Sequence, residues 1–283
     1  EIAAGVEKGQ VPGAATGEVK TEPAAAPVAP ALGAAASSPK DATKDKPYVN
    51  SLGMRFVPIK GIDVLFSVWE TRVKDFGAFV SESGYQWNEK PLFEQTPDHP
   101  VVMVSHDDAK AFCAWLSKKE GEEYRLPTDE EWDAAVGNDR YPWGKDWPPP
   151  PGSDNIAGGE SKLGGPDDPP QFLTGYSDEH ARTGPVGTYK ANRAGLYDMG
   201  GNVRELLEDW YTEEVNKKLK DGGGSPLQPG DLLEVAKGTT RRVMRGGGWN
   251  VTGPSYLLSA NRCVRPPNGR INNVGFRCVL VLP

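Results

Sequence analysis

Tyr124-Arg125-Leu126-Pro127-Thr128-Asp129-Glu130-Glu131-Trp132 carries a helix start in its own chemistry. Thr128 followed three residues later by Glu131 is a capping box, in which hydroxyl and carboxylate satisfy the first free N–H groups of a helix. Gly137 stands where a C-cap glycine belongs, so the spacing predicts a short helix between them. Upstream, Ser105 is a fitting N-cap and Asp107-Asp108 suit the positive end of a helix running to Lys119, with Ala109, Phe112, Cys113, Trp115 and Leu116 on one apolar face. A third helical pattern runs from Val73 to Val80 and stops at Ser83-Gly84. Met54 to Ile59, Val64 to Trp69, Val243 to Arg245 and Gly275 to Val281 read as strands. Residues 138–195 show no sustained period, and a segment that long is functional or ion-stabilised if it is ordered at all.

The 34 Gly and 26 Pro among 283 residues point the same way, towards turns and long ordered loops. Eight Trp and eight Phe supply a core. A net charge of −7 argues against nucleic acid, which needs a basic surface. No apolar run is long enough to span a membrane. Residues 1–47 differ from the rest: the Ala/Pro-rich run Glu22-Pro23-Ala24-Ala25-Ala26-Pro27 leads into Lys40-Asp41-Ala42-Thr43-Lys44-Asp45-Lys46 without an aromatic residue. Such a segment buries too little area to offset its chain entropy. It reads as a disordered linker that tethers the domain 48–283 to something larger, or as a plain disordered terminus. The chain begins at Glu rather than Met and is read as a fragment or a processed product.

Several segments occur in an order that resembles one family. They are Trp69-Glu70-Thr71-Arg72-Val73, His99-Pro100-Val101-Val102-Met103-Val104-Ser105, Ala111-Phe112-Cys113, the Tyr124–Trp132 run, Tyr141-Pro142-Trp143-Gly144 and Gly184-Pro185-Val186-Gly187, then Gly195-Leu196-Tyr197-Asp198-Met199-Gly200-Gly201-Asn202-Val203-Arg204-Glu205, Arg245-Gly246-Gly247-Gly248-Trp249 and Gly275-Phe276-Arg277-Cys278. Together they resemble the formylglycine-generating-enzyme, or sulfatase-modifying-factor, domain from about Val49 to Pro283. The resemblance implies an α+β, C-type-lectin-like fold: a small twisted mixed β-sheet, two or three short helices and extensive ordered loops. The family includes copper-dependent oxidases that convert a sulfatase cysteine to formylglycine, iron-dependent sulfoxide synthases, and domains without known chemistry fused to bacterial signalling proteins. It is also similar to the variable proteins of diversity-generating retroelements.

The resembling oxidases hold Cu(I) through two thiolates just after the Arg-Gly-Gly motif, as a soft ion requires. Here Val251 stands at or next to the first position and Tyr256 near the second, so no copper is expected. The iron branch needs a histidine cluster, and His99, His106 and His180 lack ligand-like spacing. Gly246-Gly247-Gly248 reads as close backbone packing around Trp249 rather than a phosphate loop. The resemblance pairs Cys113 with Cys278, as a disulfide or as neighbouring thiols in a reducing compartment. It leaves Cys263 as a buried hydrophobic residue.

Two calcium sites follow from the resemblance. Asn155, the carbonyl of Ile156, Asp178 and the carbonyl of His180 form the first; Asp198, the carbonyls of Gly201 and Val203, and Glu205 form the second. Hard cations favour such mixtures of carboxylates and carbonyls. A plain turn at Asp198–Gly201 and an Asx-turn at Asn155 account for the same residues without an ion. Between Trp249 and Gly275 the residues Trp249, Asn250, Tyr256, Asn268, Arg270 and Asn272 suit recognition of a peptide or protein. The expectation is a non-catalytic ligand- or protein-binding sensor module with structural Ca²⁺, part of a larger tethered, extracytoplasmic protein such as a membrane-anchored Ser/Thr kinase. The alternatives are an oxidase or oxygenase acting on a thiol substrate, and a diversified ligand-binding protein.

Overall fold

A computed structural model describes residues 35–162, 169, 171–211 and 240–282. The capping box forms as the sequence predicts: Thr128 Oγ1 accepts from the Glu131 N–H at 3.2 Å, and Glu131 Oε2 accepts from the Thr128 N–H at 2.8 Å. It opens α3, Asp129–Val136, which ends at Gly137. Helix α2, His106–Glu120, is opened by a reciprocal pair of the same kind between Ser105 and Asp108. Helix α1, Val73–Ser83, stops at Gly84, whose φ of 72° lies in the left-handed region that a Cβ disfavours.

Among the described residues nine strands follow in chain order: β1 Tyr48–Val49, β2 Arg55–Pro58, β3 Val64–Ser67, β4 Tyr124–Arg125, β5 Arg204–Trp210, β6 Arg242–Arg245, β7 Arg262–Arg265, β8 Val274–Gly275 and β9 Val279–Val281. They build two sheets where the sequence suggested one: β1-β2-β3-β9-β4 and β7-β6-β5-β8. The pairing of β5 with β8 is parallel and the other pairings are antiparallel, so the architecture is mixed. Helices α1 and α2 pack on an aromatic core in which Phe76 stacks on Phe112 with ring centroids 5.8 Å apart and Phe276 meets both edge-on. A second core gathers Val68, Trp69, Trp132, Leu207 and Val243.

The run Gly275–Val281, expected as one strand, is divided between the two sheets. Between β8 and β9 lies fully buried Arg277. Its guanidinium grips Glu205 and donates to the carbonyls of Ser67 at 3.1 Å and Tyr197 at 2.8 Å, so the chain changes sheets around a polar anchor. Cys278, next in sequence, sits beside Cys113 of α2 with the sulfurs 3.5 Å apart, both buried and both free thiols.

Residues 35–47, within the segment read as linker, already touch the domain. Ala36 bridges Tyr48, Pro39–Asp41 forms a 3-10 turn, and Lys44 donates to the Arg193 carbonyl at 2.9 Å. Ordered contacts therefore begin before Tyr48, because the Lys44 stem lies along Gly195 and its ammonium finds a carbonyl. The remainder of that segment lies outside the described residues.

Candidate cation sites and cleft

The irregular region is organised around buried carboxylates. Gly201 brings the chain against the Asn155 carbonyl so closely that a Cβ there would collide with it. This approach sets Asn155, Asp154 and Asn202 together: Asn202 N–H donates to the Asn155 carbonyl at 2.7 Å, and Asn155 Nδ2 to Asn202 Oδ1 at 3.2 Å. Asp178 caps the same loop, accepting from the Ile156 N–H at 2.8 Å and the His180 N–H at 2.9 Å. The first expected set, Asn155, Ile156, Asp178 and His180, is thus brought together. Asn155 Oδ1 is buried and accepts no hydrogen bond within the described residues. Both carboxylate oxygens of Glu160, in the 3-10 turn Gly159–Ser161, are likewise buried without a donor. Burial pushes the Asp178 carboxyl up to about 7, and the neighbouring Glu160 charge adds to the shift.

In the second set, Asp198 lies in the left-handed region with φ 61° and accepts from the Gly187 N–H at 2.7 Å through one oxygen. Its other oxygen, Oδ1, is buried without a donor among the described residues. Burial raises Asp198 to about 6. Glu205 is held differently: Arg277 donates to its two oxygens at 2.8 and 2.6 Å, and the Trp132 indole adds a bond at 2.9 Å. Two further buried acids surround Asp198, and sequence reasoning does not single them out as ligands. Glu70 accepts from Val203 N–H and Asn202 Nδ2, and Asp154 from Asn155 and Gly200 N–H. Burial first, then the Asp198 charge, raises both well above the ordinary carboxylate range. Glu70 lies inside the Trp69–Val73 motif and Asp154 adjoins Asn155, which is the sequence signal that was available. Among the described residues no three His, Cys, Asp or Glu side chains form a metal cluster. A cation here would rely largely on amide and backbone oxygens, a donor mixture that Ca²⁺ accepts.

A cleft of about 420 Å³ opens between the second sheet and the loop 250–256. Asn250, Val251 and Tyr256 line it, with Arg204 of β5 and Cys263 and Arg265 of β7. The positions that resemble the copper ligands therefore face a cleft, and they present an isopropyl group and a phenol. Cys263, expected to be buried packing, is half-buried and contributes a wall of this cleft. One thiol, a valine and a tyrosine do not make a two-thiolate Cu(I) site. Each histidine has its own partner: His99 meets Thr183, His106 meets the Leu207 carbonyl and His180 meets Tyr189.

The six residues expected to form one recognition surface are separated by the structure. Asn250 and Tyr256 line the cleft. Trp249 is fully buried and donates its indole N–H to the Asn272 carbonyl at 3.0 Å, which fixes the loop rather than offering a surface. Gly247 beside it could not carry a Cβ without striking the Gly200 carbonyl, as the close-packing reading of the glycine run expects. Arg270 forks onto Asp108 at the start of α2 with two 2.8 Å contacts, so its charge is engaged within the fold. Asn268 is exposed.

Residues 64–282 match the family described as the sulfatase-modifying factor enzyme 1-like domain. The formylglycine-generating enzyme of Streptomyces coelicolor is 31% identical over 195 residues, covering 64% of this chain and 52% of the relative. The serine/threonine-protein kinase Pkn1 of Chlamydia trachomatis is 30% identical over 243 residues, covering 82% of this chain and 32% of the kinase. The chain thus spans about half the length of the enzyme relative and a third of the kinase. In three dimensions the protein is similar to PvdO from Pseudomonas aeruginosa, with a TM-score of 0.58, 24% identity, and coverage of 77% of this chain and 80% of that one. The architecture is the α+β, C-type-lectin-like one that the motifs imply, and the chain belongs to the sulfatase-modifying factor, or formylglycine-generating-enzyme, family.

Proposed function

We propose that this domain is a non-catalytic ligand- or protein-binding module within a longer protein. The observation that carries the reading is the donor set of the cleft: Val251 and Tyr256 stand at or near the positions where the resembling oxidases keep thiolates, and the remaining walls carry amides, guanidinium groups, the Met244 thioether and the single thiol of Cys263 rather than a thiolate pair. Soft-metal chemistry needs paired sulfur donors, whereas Asn, Tyr and Arg are suited to holding a ligand. The similarity to a region of Pkn1, named as a kinase and much longer than this chain, supports a place in a multidomain protein. The unpaired Asn155 Oδ1, Asp198 Oδ1 and Glu160 oxygens support Ca²⁺ as a structural ion rather than a reactant.

The test is a Cu(I) titration with oxygen uptake measured in the presence of a cysteine-containing sulfatase-type peptide. The expected outcome is no stoichiometric loading and no aldehyde. Aldehyde formation with one copper per chain overturns the reading.

A further inference from the structure

We infer that the cleft selects a carboxylate, held by Arg204 and Arg265. The inference rests on the binding reading above and names the chemical class the site would take. Arg204 on β5 is only 9% exposed and, among the described residues, makes one side-chain hydrogen bond, from Nη1 to the Gly246 carbonyl at 2.9 Å. Among the described residues neither it nor Arg265 meets a carboxylate, and no Asp or Glu lines the cleft. A nearly buried guanidinium without an anion is costly, and the cost falls when a carboxylate arrives.

Strands β6 and β7 show how this fold treats arginines whose charge is neutralised internally. Arg245 and Arg262 stand directly opposite on β6 and β7. Asp129 bridges both, at 3.1 Å from Arg245 and 2.9 Å from Arg262, and Asp133 joins it. Arg242 and Arg265 are also directly opposite. Arg242 lies over the Trp210 ring, donates to the Glu208 carbonyl and has the Glu208, Asp107 and Asp209 charges near it, but no acid bridges from it to Arg265 among the described residues. Like charges facing each other across a ladder destabilise it unless an anion intervenes. From Arg265 the cleft runs past Met244 and Cys263 to Arg204, which lies at the other end of the sheet next to the Glu205–Arg245 pair.

The rest of the lining fits an organic acid better than a bare ion. Met244, Val251, Val264 and Tyr256 supply apolar walls. Asn250 Oδ1 is taken by Asn273 Nδ2 at 2.8 Å, which leaves the Asn250 amide N–H₂ as a further donor. A volume of about 420 Å³ admits an acidic side chain or a small dicarboxylate. The planar guanidinium fork matches the two carboxylate oxygens.

The experiment uses the full chain with two probes, glutarate by titration calorimetry and a random heptapeptide library by selection, so that a free acid and a peptide acid are distinguished. Glutarate binding, or enrichment of Asp- or Glu-containing peptides that lose affinity when the acid is replaced by its amide, is the expected result. R265Q, at the exposed end of β7, should weaken either one at least fivefold while leaving the melting temperature unchanged. R204Q should do the same if its circular dichroism is native, and R204K, which keeps the charge, should partly restore binding. Enrichment of neutral peptides indifferent to R265Q overturns carboxylate selection and leaves the binding reading standing. No capture of any probe, under conditions where the chain is folded, overturns both.

Discussion

At the scale of single residues, His106 is buried at the start of α2 with Nε2 against the Leu207 carbonyl at 3.1 Å. Burial, reinforced by Arg242, lowers its pKa from 6.5 to about 4. The unfolded chain therefore takes up a proton between pH 6.5 and 4 that the folded chain refuses, and stability falls as pH drops through that window. At about 1.4 kcal/mol per pH unit, the loss approaches roughly 3 kcal/mol by pH 4. Urea unfolding at pH 7 and pH 4.5 should show this loss in the wild type and a shallower dependence in H106Q; identical slopes would refute the assignment. Arg277 and Glu205 make the second residue-scale prediction. Both are fully buried, and removing one partner strands the other's charge, at a cost of roughly 3–5 kcal/mol. R277M should unfold at markedly lower urea than the wild type, and an unshifted midpoint would mean that the pair carries little. The Phe-Arg-Cys motif marked Arg277 as belonging to the family pattern. Its partner lies 72 residues away, and nothing local in the sequence names it.

At the scale of elements, the helices were legible because their determinants are local. Capping residues, a glycine stop and an apolar stripe lie within one or two turns of each other, and the observed ends follow the caps at Ser105, Thr128 and Gly137. Thr128→Ala should cost about 1 kcal/mol by removing the acceptor for the Glu131 N–H. The Thr128→Ser variant, which keeps the hydroxyl, should cost less; equal losses in chemical unfolding would argue that the box is ornamental. Strand boundaries were less legible. Gly275–Val281 has the composition of one continuous strand, and its division depends on Glu205 and the carbonyls of Ser67 and Tyr197 waiting elsewhere in the chain. The loop 249–274 misled in another way. Its Asn and Arg content suggested one recognition face, yet Arg270 serves the α2 start and Trp249 serves the loop interior. Whether a polar residue faces solvent or a distant backbone atom is a tertiary fact.

At the scale of the whole molecule, the described residues of the loop body 138–205 have almost no regular structure and surround carboxylates that burial holds above their ordinary pKa. Bound Ca²⁺ would stabilise this arrangement by mass action, about 2.7 kcal/mol at a hundredfold excess over the dissociation constant. Melting in EGTA should therefore occur several degrees below melting in millimolar CaCl₂, and Mg²⁺ should substitute poorly because it demands a tighter octahedron. Glu160→Gln and Asn155→Ala should shrink that difference, and a melting curve blind to both chelator and calcium would remove the ion from the account. The sequence led to Asn155, Asp178 and Asp198 through family motifs. Asp154 reaches the same pocket because Gly200 and Gly201 let its segment approach without a Cβ in the way, and Glu70 is held there by Asn202 Nδ2 and the Val203 N–H.

The position of β9 between β3 and β4 has a consequence for how the domain is made. Its neighbours Val64–Ser67 and Tyr124–Arg125 leave the ribosome long before Val279–Val281, and each must wait with an open edge for a partner still unsynthesised. Assembly of the first sheet is therefore a late, long-range closure rather than a progressive one. A nascent chain stalled before residue 279 should remain protease-sensitive throughout its first half, however complete its helices are.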